Sequence, residues 1–139
     1  MKFFLFIISF ILQPPIVEVI EKSKYHSLVE QGYTIIDVRT HEEYMQGHIP
    51  GAQNIDFRAE TFITEIQKLS KSDTLLVYCR SGRRSLYAAQ VMVSFGFKKI
   101  YDLDGGFLNW KFDYIKFRQE KKIIIKKSIF THQALLNNS

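Results

Sequence analysis

The sequence predicts an α/β domain with a mostly parallel sheet covered on both faces, and three observations lead there. Short apolar runs rich in β-branched residues recur along residues 16–103. Stretches with apolar side chains at three- and four-residue spacing separate them. No internal repeat or low-complexity linker interrupts residues 16–110. Strands that alternate with helices in this way build a parallel sheet, because each crossover helix packs back on one face.

Ile16 to Ile20 reads as a short first strand. Glu21 to Gln31 follows as a helix, with Tyr25, Leu28 and Val29 on one side and Gly32 as its stop. Tyr33 to Val38 is an apolar, β-branched run, and so a buried strand. Thr40 and Glu43 have capping-box spacing, opening a short helix that ends at Gly47. Ala52 to Ile55 supplies a further strand. Phe62, Ile63, Ile66 and Leu69 predict an amphipathic helix over 59–70. Thr74 to Tyr78 is the clearest strand of all. Leu86, Ala89, Met92 and Val93 then line a helix that begins near Ser85 and stops at Gly96. Lys99 to Leu103 is the last strand, ahead of Gly105 and Gly106.

With 139 residues the chain amounts to about one domain. A chain of this length buries roughly two-thirds of its unfolded surface and needs no covalent staple. Its 46% hydrophobic and 24% charged residues exclude a disordered or collagen-like protein. The single cysteine excludes an internal disulfide framework and a Cys-rich zinc cluster. His26, His41 and His132 have no partners at ligand spacing, so neither a metal site nor a cofactor is expected.

The net charge of +5 is unevenly placed. Over residues 1–110, 12 basic and 12 acidic residues cancel. Lys111, Lys116, Arg118, Lys121, Lys122, Lys126 and Lys127, against Asp113 and Glu120, carry the whole excess. The chain thus divides into an apolar N-terminal segment (1–15), a neutral body (16–110) and a basic tail (111–139). That division argues against a nucleic-acid partner.

Phe3 to Leu12 is apolar apart from Ser9, too short for a bilayer span of about 20 residues. It matches the apolar region of a signal sequence, so export to the periplasm or beyond is expected. A buried first strand in a cytoplasmic protein is the alternative. Within the tail, Lys121 to Phe130 is expected to be a poorly ordered terminus. A basic helix at a membrane surface and an aggregating strand are its alternatives. Membrane contact is expected only through these two ends.

The chemistry concentrates in Cys79, Arg80, Ser81, Gly82, Arg83, Arg84 and Ser85, between the fourth strand and the next helix. Ligands of open α/β sheets sit beyond the carboxyl ends of the strands, where this loop lies. A helix N-terminus and three arginines stabilise a thiolate, the nucleophilic form of cysteine. Gly82 permits the curvature that turns successive amides inward to form an anion nest. A lone cysteine is more often an inert buried hydrophobe. The three arginines reverse that expectation, since a purely structural cysteine gains nothing from a cationic loop.

The loop, read as Cys-Arg-Ser-Gly-x-Arg-Ser, resembles the active-site loop of single-domain rhodaneses, a sulfurtransferase family. Two further blocks support the resemblance. Ile36 to Arg39, with Glu43, Tyr44 and Gly47 to Ala52, resembles the family's N-terminal signature. Leu103 to Phe107, with Trp110, resembles the C-terminal one. The resemblance implies a three-layer fold with a parallel five-stranded sheet flanked by helices. It makes Cys79 the nucleophile that becomes a persulfide, within a loop of residues 79–84 whose backbone amides surround the sulfur. Arg80, Ser81, Gly82, Arg84 and Ser85 become the substrate-binding set, and Arg83 joins them on charge alone. Asp37 and Arg39 become scaffold residues, and His48 a structural residue of a turn rather than the general base its chemistry suggests.

The expected reaction is transfer of a sulfane sulfur from a small anionic donor, thiosulfate in the simplest case, to a thiol or cyanide. Cysteine-cradle phosphatases need a larger Cys-x5-Arg ring, whereas Arg84 completes Cys-x4-Arg. The alternative is a persulfide carrier or protein-interaction module with little small-molecule turnover, whose partner is a protein sulfur acceptor.

Overall fold

The structure is a computed structural model that describes residues 16–111 and 122–130. The export reading of the N-terminal segment falls outside them, as does the reading of the tail at 112–121 and 131–139. Five strands form one sheet: β1 (Ile16–Ile20), β2 (Thr34–Asp37), β3 (Gln53–Asn54), β4 (Thr74–Tyr78) and β5 (Lys99–Leu103). Their order is β1-β5-β4-β2-β3, and every pairing is parallel. All carboxyl ends therefore lie along one edge, with β4 in the middle.

The helices are α1 (Lys22–Glu30), α2 (His41–Met45), α3 (Phe62–Ile66) and α4 (Arg83–Ser94). A helix α5 begins at 106 and reaches the limit of the described residues at 111. Helix α6 spans 122–130 with every side chain exposed, so this part of the tail is helical rather than a strand.

Strand alternation divides the apolar side chains between two cores. Ile36, Leu75, Val77, Cys79 and Ile100 face Phe62 and Ile66 of α3 and Ala88, Ala89 and Met92 of α4. Ile35, Leu76, Tyr78, Tyr101 and Leu103 face Tyr25 of α1 and Trp110 of α5. These are the three layers of a parallel five-stranded sheet flanked by helices. Two expectations need correction. The helix expected over 59–70 is confined to Phe62–Ile66. Around it, three-residue turns (Phe62 N to Ala59 O, 3.1 Å; Leu69 N to Ile66 O, 3.1 Å) bury the same apolar residues without α-helical bonding. Leu86 is exposed, because the stripe of α4 that faces the sheet is Ser85, Ala88, Ala89 and Met92, one residue round from the expected one. That stripe brings small residues against the sheet.

Tyr25 is fully buried, and its hydroxyl has no hydrogen-bond partner among the described residues. A buried unpaired hydroxyl costs about 1–3 kcal/mol. Tyr25→Phe should therefore leave stability unchanged or raise it by about 1 kcal/mol, read in a urea titration. A loss of stability on that change would show that the hydroxyl is paired.

Candidate active site

Cys79 is the first residue beyond β4, and its side chain is almost fully enclosed, at 1% exposure. The chain must then turn back into α4 within three residues. Gly82 makes the turn with φ +95°, a left-handed conformation that a side chain disfavours, and it caps α4. Its amide donates to Cys79 Sγ at 3.2 Å. Ser85, buried on the first turn of α4, places its hydroxyl 3.4 Å from the same sulfur and 3.1 Å from Gly82 O. Two donors thus converge on one sulfur, beside the amino end of a twelve-residue helix.

The other side of the loop is gripped by α5. Phe107 N donates to Cys79 O at 2.8 Å and Leu108 N to Arg80 O at 3.1 Å. A methyl group at Gly106, where φ is +59°, would stand 2.5 Å from Cys79 O and 2.8 Å from the Arg80 carbonyl. Gly106 therefore serves close approach of two backbone segments, a role that residue spacing alone did not reveal.

Asp37 and Arg39 lie behind the loop and are buried. Arg39 Nε is 3.0 Å from both Asp37 carboxylate oxygens, and its Nη2 is 2.6 Å from Oδ2 and 2.7 Å from Gly47 O. The guanidinium also faces the rings of Phe107, at 4.1 Å, and Tyr78, at 5.6 Å. One charged pair thereby joins β2, the turn at Gly47, β4 and α5. His48 is exposed, stacks on Tyr44 at 3.8 Å and has Nδ1 3.1 Å from Tyr44 O, so its contacts belong to that turn.

The arginines divide into two kinds. Arg80 and Arg83 are exposed, like Ser81, and form no ion pair among the described residues. Arg84 instead donates to both oxygens of Glu43 at 2.7 Å. Glu43 also completes the capping box of α2, its carboxylate accepting from the backbone amide of the cap residue Thr40. Arg84 therefore fastens α2 to the start of α4 besides lending charge near Cys79. Ser85 is enclosed beneath the sulfur and touches it from the protein side. Among the described residues no cluster of three or more His, Cys, Asp or Glu is placed to hold a metal ion. None of the described helices is long and apolar enough to cross a membrane.

Against known proteins, the sequence profile of the rhodanese-like domain matches residues 21–113, most of the chain. The chain belongs to this family. As a rhodanese it is a member of an enzyme family of sulfurtransferases. It is 38% identical over 89 residues to the thiosulfate sulfurtransferase GlpE of Pseudomonas fluorescens, covering 63% of this chain and 79% of that protein. It is 36% identical over 85 residues to the putative sulfur carrier protein YrkF of Bacillus subtilis, covering 58% of this chain but only 43% of that protein. A crystal structure of a rhodanese-related protein from Thermoplasma volcanium superposes with TM-score 0.62 at 25% identity, covering 69% of this chain and 92% of that one.

In this rhodanese the Arg84 guanidinium holds the Glu43 carboxyl well down, from 4.5 to about 2. A carboxylate depressed in the folded state stabilises the fold above its ordinary pKa. That stabilisation should be lost as pH falls from about 4.5 to about 2. Glu43→Gln should lower stability at neutral pH and flatten the acid limb of the midpoint-against-pH curve over that window. Parallel curves for the two proteins would remove the pair from the acid response.

Proposed function

We propose that this protein forms a persulfide on Cys79 and hands its sulfane sulfur to the thiol of a protein partner. The observation that carries this reading is the enclosure of Cys79 Sγ, at 1% exposure, between the Gly82 amide and the Ser85 hydroxyl. Such a site stabilises anionic sulfur with donors already in place. The similarity to a putative sulfur carrier supports the same reading.

In the first step the Cys79 thiolate attacks the outer sulfur of an anionic donor such as thiosulfate. A Cys79–sulfur bond forms, the donor S–S bond breaks, and its electron pair leaves with sulfite. In the second step an acceptor thiolate attacks the terminal sulfur of the persulfide. The pair of the breaking S–S bond returns to Cys79, so the protein is neither oxidised nor reduced over the cycle. Arg80 and Arg83 supply exposed positive charge for the donor and for an acidic acceptor face. The second reading, steady thiosulfate-to-cyanide turnover, is supported by the similarity to thiosulfate sulfurtransferases.

The two are separated by loading the protein with thiosulfate, removing the donor, and following one transfer to a reduced cysteine-bearing protein. Steady cyanide turnover is measured in parallel. The carrier reading expects complete single transfer with slow cyanide turnover, and neither activity in Cys79→Ser. Sustained cyanide turnover faster than protein transfer would replace it with the enzymatic one. Export through the N-terminal segment belongs to this proposal. Determining the mature N-terminus tests it, and an exported Cys79 would need a reductant to stay free.

A further inference from the structure

On the face of the sheet that α4 covers lies a buried carboxyl that the transfer steps do not use. Asp102 is 1% exposed in the middle of the sheet, paired in register with Val77 of β4 and Val19 of β1. Strand alternation puts it on the same face as Ile100, Val77 and Cys79, the face that α4 covers. Ser85 is the buried polar residue on the first turn of α4. Asp102 Oδ1 has no hydrogen-bond partner among the described residues, and Asp102 forms no ion pair among them.

We propose that Asp102 is a positioning residue which decides, through Ser85, whether the Ser85 hydroxyl donates to the Cys79 sulfur. A single proton makes the difference. Ser85 Oγ carries one hydrogen, and two acceptors already compete for it: Cys79 Sγ at 3.4 Å and Gly82 O at 3.1 Å. An ionised Asp102 is a third acceptor, and charge-assisted hydrogen bonds are about twice as strong as neutral ones. It would draw the Ser85 hydrogen down, away from the sulfur. A neutral Asp102 does the reverse: its O–H donates to Ser85 Oγ, leaving the Ser85 hydrogen free for Cys79.

The two states are close in energy. Burial pushes the Asp102 carboxyl up to about 7, with the Ser85 hydroxyl and the Leu103 amide opposing the rise and Asp104 adding to it. The other titratable group that senses Asp102 is Tyr25 of α1. Val77 and Val19, its neighbours on β4 and β1, carry no charge. On α4 the nearest charge to Ser85 in sequence is Arg84, which is bonded to Glu43.

This inference rests on Cys79 being the reacting group, but its test needs no sulfur donor, so the two readings fail separately. The rate of Cys79 alkylation by iodoacetamide is followed against pH in wild type, Asp102→Asn, Ser85→Ala and the double variant. Asparagine keeps a neutral donor beneath Ser85 at every pH. The Asp102→Asn to wild-type rate ratio should be near one below about 7. Above it the ratio should rise roughly tenfold, the worth of one hydrogen bond to a charged group. In the Ser85→Ala background the rise should vanish. A flat ratio, or the same rise without Ser85, overturns the proposal. Should the asparagine variant not fold, carbon-13 carboxyl spectra of the wild type decide. Asp102 must titrate near 7, with a midpoint that moves when Cys79 is alkylated. An Asp102 ionised throughout, or unmoved by alkylation, overturns the proposal.

Discussion

Arg39→Ala is expected to cost about 3–5 kcal/mol, a large share of the stability of a domain this size. The change leaves the buried Asp37 carboxylate without the guanidinium that binds both its oxygens. It also removes a side chain packed between the Phe107 and Tyr78 rings and bonded to Gly47 O. The effect belongs to the orphaned charge rather than to the pair. A double change of Asp37→Leu with Arg39→Met should therefore cost less than Arg39→Ala alone, because no charge is left behind. Urea titrations of the three proteins measure this. A loss below about 1 kcal/mol for Arg39→Ala would mean that the pair is solvated rather than enclosed.

Gly106→Ala is expected to have the second large effect, and to act on the site as well as on stability. The added Cβ meets Cys79 O and the Arg80 carbonyl, all backbone atoms that no side-chain rotation can move aside. The hydrogen bonds from Phe107 and Leu108 to those carbonyls must lengthen or break, each worth about 1 kcal/mol. The left-handed backbone adds about 1–2 kcal/mol for any residue with a side chain. Gly32→Ala is the control: Gly32 also has positive φ, but nothing lies within 4 Å of the added carbon. Gly106→Ala should therefore lose clearly more stability than Gly32→Ala and take up sulfur poorly. Equal losses in the two proteins would show that α5 does not brace the loop.

How far residues can be read without coordinates depends on where their partners lie in the chain. β4 and β5 were legible to the residue because burial on both faces demands unbroken apolar runs. The Thr40–Glu43 capping box was legible because both halves sit within one turn. Its link to Arg84 was not, since 41 residues separate the partners and only the adjacency of β2 and β4 brings them together. The start of α4 was read late because its cap is Gly82, which offers no side-chain hydrogen bond as a signal. The length of α3 was over-read because apolar spacing of three residues fits isolated turns as well as a continuous helix. Asp102 did leave a trace: alternation along β5 places it on the covered face with Ile100. The trace is weak, because strand ends often carry acids that reach solvent. Cys79 and its loop were named from residue type and order, and Asp37 and Arg39 from the resemblance to the family. The division of the arginines into exposed and committed ones needed the fold.

The central claim is that Cys79 is the sulfur-bearing atom of a rhodanese, and intact mass spectrometry tests it most directly. The reduced protein is incubated with thiosulfate, freed of donor and weighed beside Cys79→Ser treated in the same way. The account predicts a wild-type mass larger by one sulfur atom, restored by a thiol, and no change in the serine variant. A wild-type protein that stays unmodified with thiosulfate and with organic persulfide donors, or a serine variant that gains the same sulfur, would contradict it.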